Sequence, residues 1–242
     1  MKWEDEGMLL SSRNYGEHSA IIEVLTRSHG RHAGLVKYAH SKRNASILQP
    51  GMQLRVAWNA RLSEHLGVFT IDKVKSRTSD LIQTKQTLLG FNSLISLLLI
   101  SLPEREPFLR VYQATINLVD SMRKEKKWLV GYVHWELLIL AELGFGLDLS
   151  KCAVTGKSVD LIYVSPKSGR AVSAKAGKKW EKNLLPLPHF LTLEHNEVET
   201  DSKMVSRGMI LTGYFLEKWS QDNLEKKSLP RARHRFFLTL ND

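Results

Sequence analysis

Residues 50–61 read Pro-Gly-Met-Gln-Leu-Arg-Val-Ala-Trp-Asn-Ala-Arg, a turn signal at Pro50-Gly51 followed by a run in which Leu54, Val56 and Trp58 alternate with Arg55, Ala57, Asn59 and Arg61. A period of two sends successive side chains to opposite faces, so Gln53–Arg61 predicts a half-buried strand with Arg55 and Arg61 on its outer face. Four more runs share its texture: Gly7–Ser12, Ser19–Thr26, Arg31–Lys37 and Gly67–Val74. Turn residues divide them at Asn14-Tyr15-Gly16, His29-Gly30 and Pro50-Gly51. Five short strands within residues 7–75 predict an OB-type barrel.

From Ser79 the period changes. Leu81, Leu88, Leu89, Phe91, Leu94, Ile95, Leu98, Leu99 and Leu102 mark a buried helical segment that Pro103 ends. Glu104–Met122 predicts a second helix, and Trp128–Leu143, closed by Gly144, a third whose Trp128 and Trp135 are core residues. Residues 150–190 are broken by Gly156, Ser165-Pro166, Gly169, Gly177, Pro186 and Pro188, with one apolar run at Leu161–Val164, and read as an irregular β-like insertion. Helices return at Ser202–Trp219 and Pro230–Leu240. The predicted class is α+β: an N-terminal five-stranded OB-fold barrel over residues 1–79, then an α-helical domain over 80–242 carrying the insertion.

Charge narrows the function. Lys and Arg number 35 against 25 Asp and Glu, a net charge of +10. Residues 1–80 hold +4 and residues 151–182 hold +6, whereas 81–150 and 183–242 are neutral. Two basic blocks around a neutral apolar segment point to a polyanion partner. Cys152 is the single cysteine, so no internal disulfide forms, which suits a reducing compartment. The start carries three acids before its first apolar run, unlike a secretory signal, and Leu94–Leu102 is too short to cross a bilayer. A cytoplasmic protein with no membrane partner is expected.

Enzyme signatures are absent: there is no Gly-x-x-x-x-Gly-Lys-Ser/Thr loop, no Gly-x-Gly-x-x-Gly after a strand and no Gly-x-Ser-x-Gly elbow. His29 and His32 flank a glycine turn without a third ligand, His189 and His195 are six residues apart, and Cys152 has no marked catalytic partner. The sequence therefore predicts no catalytic residue, no metal and no cofactor. The stronger constellation is Arg31–Arg43, which offers Arg31, His32, Lys37, Tyr38, His40, Lys42 and Arg43 at a strand end and its loop. Cations beside an aromatic platform are the ingredients of single-strand nucleic-acid binding.

Several motifs resemble the RecO proteins. They are Glu6-Gly7-x-Leu9-Leu10, Tyr15-Gly16-Glu17-x-Ser19, Thr26-x-x-His29-Gly30-Arg31 and Leu48-Gln49-Pro50-Gly51 in the barrel. Beyond it lie Glu142-Leu143-Gly144-x-x-x-Asp148-Leu149-x-x-Cys152-x-x-Thr155-Gly156, Val164-Ser165-Pro166-Lys167-Ser168-Gly169 and Leu229-Pro230-x-Ala232-Arg233. The resemblance implies a non-enzymatic mediator of recombinational DNA repair at the nucleoid. Such a mediator binds single-stranded DNA, anneals complementary strands, pairs with RecR and helps RecA replace the single-strand-binding protein, whose C-terminal tail the helical domain takes. Its DNA contacts carry over best to Lys37, Lys42 and Arg43, with Arg170 and Lys175 as further candidates. Many relatives hold zinc with four cysteines where this chain has Cys152, Thr155, Val172 and Lys175, so the insertion is a degenerate zinc-finger region. Two other readings of the residues stay open: an OB-fold factor binding RNA in translation or ribosome assembly, and an interaction scaffold.

Overall fold

Strands β1 (Lys2–Tyr15), β2 (Ser19–Thr26), β3 (Arg31–Lys37), β4 (Gln53–Asn59) and β5 (Val68–Lys75) close into a barrel in the order β1-β2-β3-β5-β4. This computed structural model describes residues 1–122, 127–192, 201–224 and 228–241, and its chain divides into two compact units, Met1–Lys124 and Glu125–Asp242. The alternation on β4 does what its period dictates: Leu54, Val56 and Trp58 are buried, Arg55 and Asn59 exposed. Around them Leu9, Ile22, Val24, Val36, Ile47, Met52, Phe69 and Ile71 complete the core. β3 closes on β5 by a parallel pairing of Leu35 with Val68. Gly34 is needed there, because the Phe69 ring fills the space a Cβ would take.

β1 is longer at both ends than the predicted Gly7–Ser12. Residues 2–8 pair with β4 and residues 7–15 with β2, across a register shift between Leu9 and Ser11. The acidic start is strand because its backbone completes the ladder of β4, a partner distant in sequence, from Lys2 with Asn59 to Met8 with Gln53, that local pattern does not reveal. β4 ends at Asn59, leaving Arg61 in the following turn.

Three short or medium helices and one long one complete this unit: α1 (Lys42–Ala45), α2 (Thr78–Leu81), α3 (Lys85–Ser101) and α4 (Leu109–Ser121). Thr84 caps α3 by accepting from the Thr87 amide at 3.0 Å. α4 starts at Leu109 rather than at the expected Glu104. Arg105, in the left-handed region at φ 64, instead donates to the carbonyls of Ser63, Glu64 and His65 and clamps the β4–β5 turn. The buried Arg77 ties α4 to the barrel, donating to Asp120 at 2.6 Å and to Gln53 at 3.1 Å, while Gln53 donates to the Tyr112 hydroxyl at 2.9 Å.

In the second unit α5 (Trp128–Glu142), α7 (Ser202–Asn223) and α8 (Arg231–Leu238) surround a buried ion pair. Arg233 donates to both Glu136 oxygens at 2.7 and 2.8 Å and to the Met209 carbonyl, and Thr212 joins the same carboxylate. Trp128 and Trp135 are buried, Trp128 stacking on Phe236 with ring centroids 5.5 Å apart. The insertion contains β6 (Leu161–Val164), β7 (Ala171–Ser173), α6 (Ala174–Gly177), a 3-10 turn at Lys178–Asn183 and β8 (Leu185–Pro186), with sheet order β7-β6-β8. Among the described residues no helix is long and apolar enough to cross a membrane.

One barrel residue carries a measurable signature. His32 is buried against Trp3 and Trp58, with ring centroids at 5.0 and 4.8 Å, and neither of its ring nitrogens has a hydrogen-bond partner. Burial, with Arg105 and His29 adding like charge, lowers its pKa from 6.5 to about 4. Below pH 6.5 the unfolded chain takes up a proton that folded His32 refuses until about pH 4, so its contribution is complete above 6.5 and lost on acidification through that window. His32→Phe is expected to flatten the loss of stability between those pH values without lowering stability at pH 8, as read by denaturant titration. An unchanged acid slope would count against this assignment.

Candidate nucleic-acid interface

Pairing between strands assembles the basic loop. Tyr15, Ser19 and Lys37 form one cross-strand row over β1, β2 and β3. The amide of Ala39 donates to the His18 carbonyl at 2.8 Å, stitching the loop after β3 to the turn between β1 and β2. Buried Ala39 and Ile47 root the loop in the barrel, and α1, with no buried residue of its own, presents Lys42 and Arg43. Tyr38 lies 71% exposed and Tyr15 56% exposed beside exposed Lys37, His40 and Lys42.

Tyr38 is held in a strained conformation, with φ at 55 in the left-handed region. A non-glycine residue there costs about 1 kcal/mol or more, and such strain gathers at binding sites. Asn44 supports it: its side-chain amide donates to the carbonyls of Lys37 and Tyr38 at 3.3 and 3.1 Å. Ser41 adds a backbone bond to the Tyr38 carbonyl and accepts from the Asn44 amide. The aromatic ring is thus offered to solvent from a braced backbone, with cations on both sides along the chain.

The other expected contacts are placed differently. Arg31 is only 13% exposed, pairs with Glu23, lies 3.6 Å from Glu104 and donates to the Leu102 carbonyl, so it serves inside the first unit. Arg55 is exposed, but its neighbours across the sheet are Glu6 and Asp72, which offset its charge. Arg61 is exposed in the turn held by Arg105. Arg43 reaches Asp72 in a pair open to solvent, an interaction too weak to withhold it from a phosphate. Arg170 sits 3.5 Å from Asp148 and Lys175 is exposed on α6, both in the second unit. Tyr15 and exposed Arg13, two residues apart on β1, were not singled out by sequence reasoning. The aromatic-basic pair just before Gly16 was the available signal.

The metal question concerns the insertion. Buried Cys152 faces Ser173, whose amide donates to the sulfur at 3.3 Å. Burial pushes the thiol up, but hydrogen bonds from Ser173 and Thr155 outweigh it and bring the pKa to about 6. Among the described residues no group of three or more His, Cys, Asp and Glu could hold a metal ion, and His195 lies outside them. Ala153 and Ala174 backbone amides, bonded to Ala171 and Asp160, hold the loop by ordinary hydrogen bonds.

A closed five-stranded barrel with a braced basic loop, followed by a helical unit with a small sheet, defines an OB-fold protein with a helical C-terminal part. A family model described as Recombination protein O N terminal matches residues 1–77, and one described as Recombination protein O C terminal matches residues 84–228. A DNA repair protein RecO of Cereibacter sphaeroides is 46% identical over 235 residues, covering 97% of each chain. One of Roseobacter denitrificans is 45% identical over 241 residues, covering 100% of this chain and 99% of its own. One of Bradyrhizobium is 45% identical over 216 residues, covering 89% and 87%. The chain belongs to the RecO family.

Tyr38→Gly is expected to melt no lower than the parent, since relief of about 1 kcal/mol of strain offsets the extra freedom of unfolded glycine, while affinity for a single-stranded oligonucleotide falls. A lower melting temperature with unchanged affinity would show that the tyrosine serves packing. Protein purified without a histidine tag is expected to carry no stoichiometric zinc and to keep its fold in chelator; fold loss with released zinc would overturn that.

Proposed function

We propose that this protein binds single-stranded DNA and anneals complementary strands in recombinational repair, without a nucleotide cofactor and without catalysing a chemical step. The observation that carries the reading is the strained, exposed Tyr38 among Lys37, His40, Lys42 and Arg43 at one end of a closed OB barrel. Lysine and arginine neutralise phosphates, which removes the repulsion between two approaching strands. Tyrosine faces bind base faces and leave the pairing edges free. A surface of this kind holds a strand in a state competent to find its complement. Membership of the RecO family supports the same assignment and extends it to partners. With RecR, the protein helps load RecA onto DNA covered by single-strand-binding protein, working in the cytoplasm at the nucleoid. The acidic, apolar-ended tail of the single-strand-binding protein suits the neutral apolar segment 81–150 next to the +6 block at 151–182.

Fluorescence anisotropy of oligo(dT) over a range of salt tests the central claim. Log K is expected to fall with log salt by about 0.7 for each phosphate contacted. Replacing Lys37, Lys42 and Arg43 together by alanine should flatten that slope by up to about 2. Annealing should proceed without ATP. A salt-independent affinity, a requirement for ATP, or preference for folded RNA over oligo(dT) would refute the proposal.

A further inference from the structure

Trp180 is the one tryptophan of the six that the fold leaves on the surface: it is 63% exposed, whereas Trp58, Trp128, Trp135 and Trp219 are buried and Trp3 is half-buried. Burying an indole is among the larger apolar gains open to a chain, so an exposed tryptophan on an ordered turn offers a ligand a large apolar face. The turn itself is fixed by topology. β7 and β8 lie on opposite sides of β6, so residues 174–184 must cross the sheet from one edge to the other. They cross over Tyr163, and Gly177 passes so close that a Cβ there would lie 2.6 Å from the Tyr163 ring and 3.0 Å from Leu184. The crossing segment is held close to the sheet at its start, and Trp180, three residues further on, stands exposed.

The charges around the indole are one-sided. Lys175, Lys178, Lys179 and Lys182 are all exposed, and among the described residues none enters an ion pair. Glu181 is the one acid of residues 174–183, against four lysines. A flat ring with cations before and after it matches a polymer that repeats phosphate, base and phosphate. A peptide with an apolar end would need a pocket to receive that end, whereas the residues adjoining Trp180 are lysines and a glutamate.

We infer that the Trp180 turn is a second single-strand contact in this protein, with one base stacked on the indole and the adjoining phosphates held by Lys178, Lys179 and Lys182. This rests on the single-strand reading above and adds to it a site in the second unit, independent of the Tyr38 loop. The site has its own optical reporter, because the exposed indole emits differently from the buried ones.

Full-length protein is titrated with oligo(dT), following intrinsic tryptophan emission and, separately, anisotropy of a labelled oligo(dT). Quenching that tracks binding is expected in the parent and absent in Trp180→Ala, whose affinity falls between about 5-fold and about 100-fold. Trp180→Phe is expected to restore part of that affinity without the optical signal, since phenylalanine also stacks. Lys178→Glu with Lys179→Glu should weaken binding further at low salt than at high salt. Circular dichroism of each variant should match the parent, as the side chains are exposed. If oligo(dT) binds the parent but Trp180 emission does not change and Trp180→Ala binds equally well, this inference fails while the single-strand function stands. If an acidic apolar-ended peptide shields Trp180 from acrylamide and oligo(dT) does not, the turn is a peptide site and the inference is overturned. No binding of oligo(dT) by the parent removes the function reading itself.

Discussion

A charge taken out of water must meet its opposite, and this constraint sorts the basic residues of the chain into two sets. In the second unit Glu136 is fully buried and bonds Arg233 through both oxygens, joining α5 to α8, while Thr212 of α7 shares the carboxylate. In the first unit Arg77 meets Asp120, and Arg31 meets Glu23. Losing one member of a pair like Arg233 and Glu136 strands the other in a dry interior, at a cost of about 3–5 kcal/mol. Such pairs are neutral, so none of them uses up the net charge of +10. The excess is left to the surface, where the Tyr38 loop and the Trp180 turn lie.

Barrel closure decides where a ligand can go. With β1 paired to β4 and β3 touching β5 through Leu35 and Val68, the sheet closes on itself and offers little free edge to an added strand. What remains are the loops at the strand ends. The loop after β3 is long, starts with a strained residue and is braced by Asn44 and Ser41 rather than by burial of α1. A rigid scaffold carrying a braced, solvent-facing loop is a common way to hold binding groups in position. The Trp180 turn obeys the same logic with a different anchor, the close approach of Gly177 to Tyr163.

The insertion is held by a small sheet and by hydrogen bonds around its single cysteine. Cys152 is buried, and the Ser173 amide donates to its sulfur. The three-stranded sheet and the backbone bonds of Ala153 and Ala174 supply the remaining constraint.

Local period was enough for the main elements, though not for the ends of β1, the start of α4 or the short elements of the insertion. The alternation at Leu54, Val56 and Trp58, the turn residues at Gly16, Gly30 and Gly51, and the helical spacing around Trp128 and Trp135 depend on neighbours within a few residues, so the α+β class and the OB barrel were legible in the sequence alone. So was the basic, aromatic character of residues 31–43. What tertiary structure alone decided was which cations are free. Arg31 and Lys37 lie on one face of one strand and look alike in sequence, yet Arg31 meets Glu23 and Glu104 while Lys37 stays exposed in a row with Tyr15. Arg55 is offset by Glu6 and Asp72, Trp180 is exposed on the segment that crosses the sheet, and α4 yields its first turn where Arg105 clamps the loop at residues 63–65. These outcomes depend on residues brought together by strand pairing and by contacts between elements, which the period of a single segment does not encode.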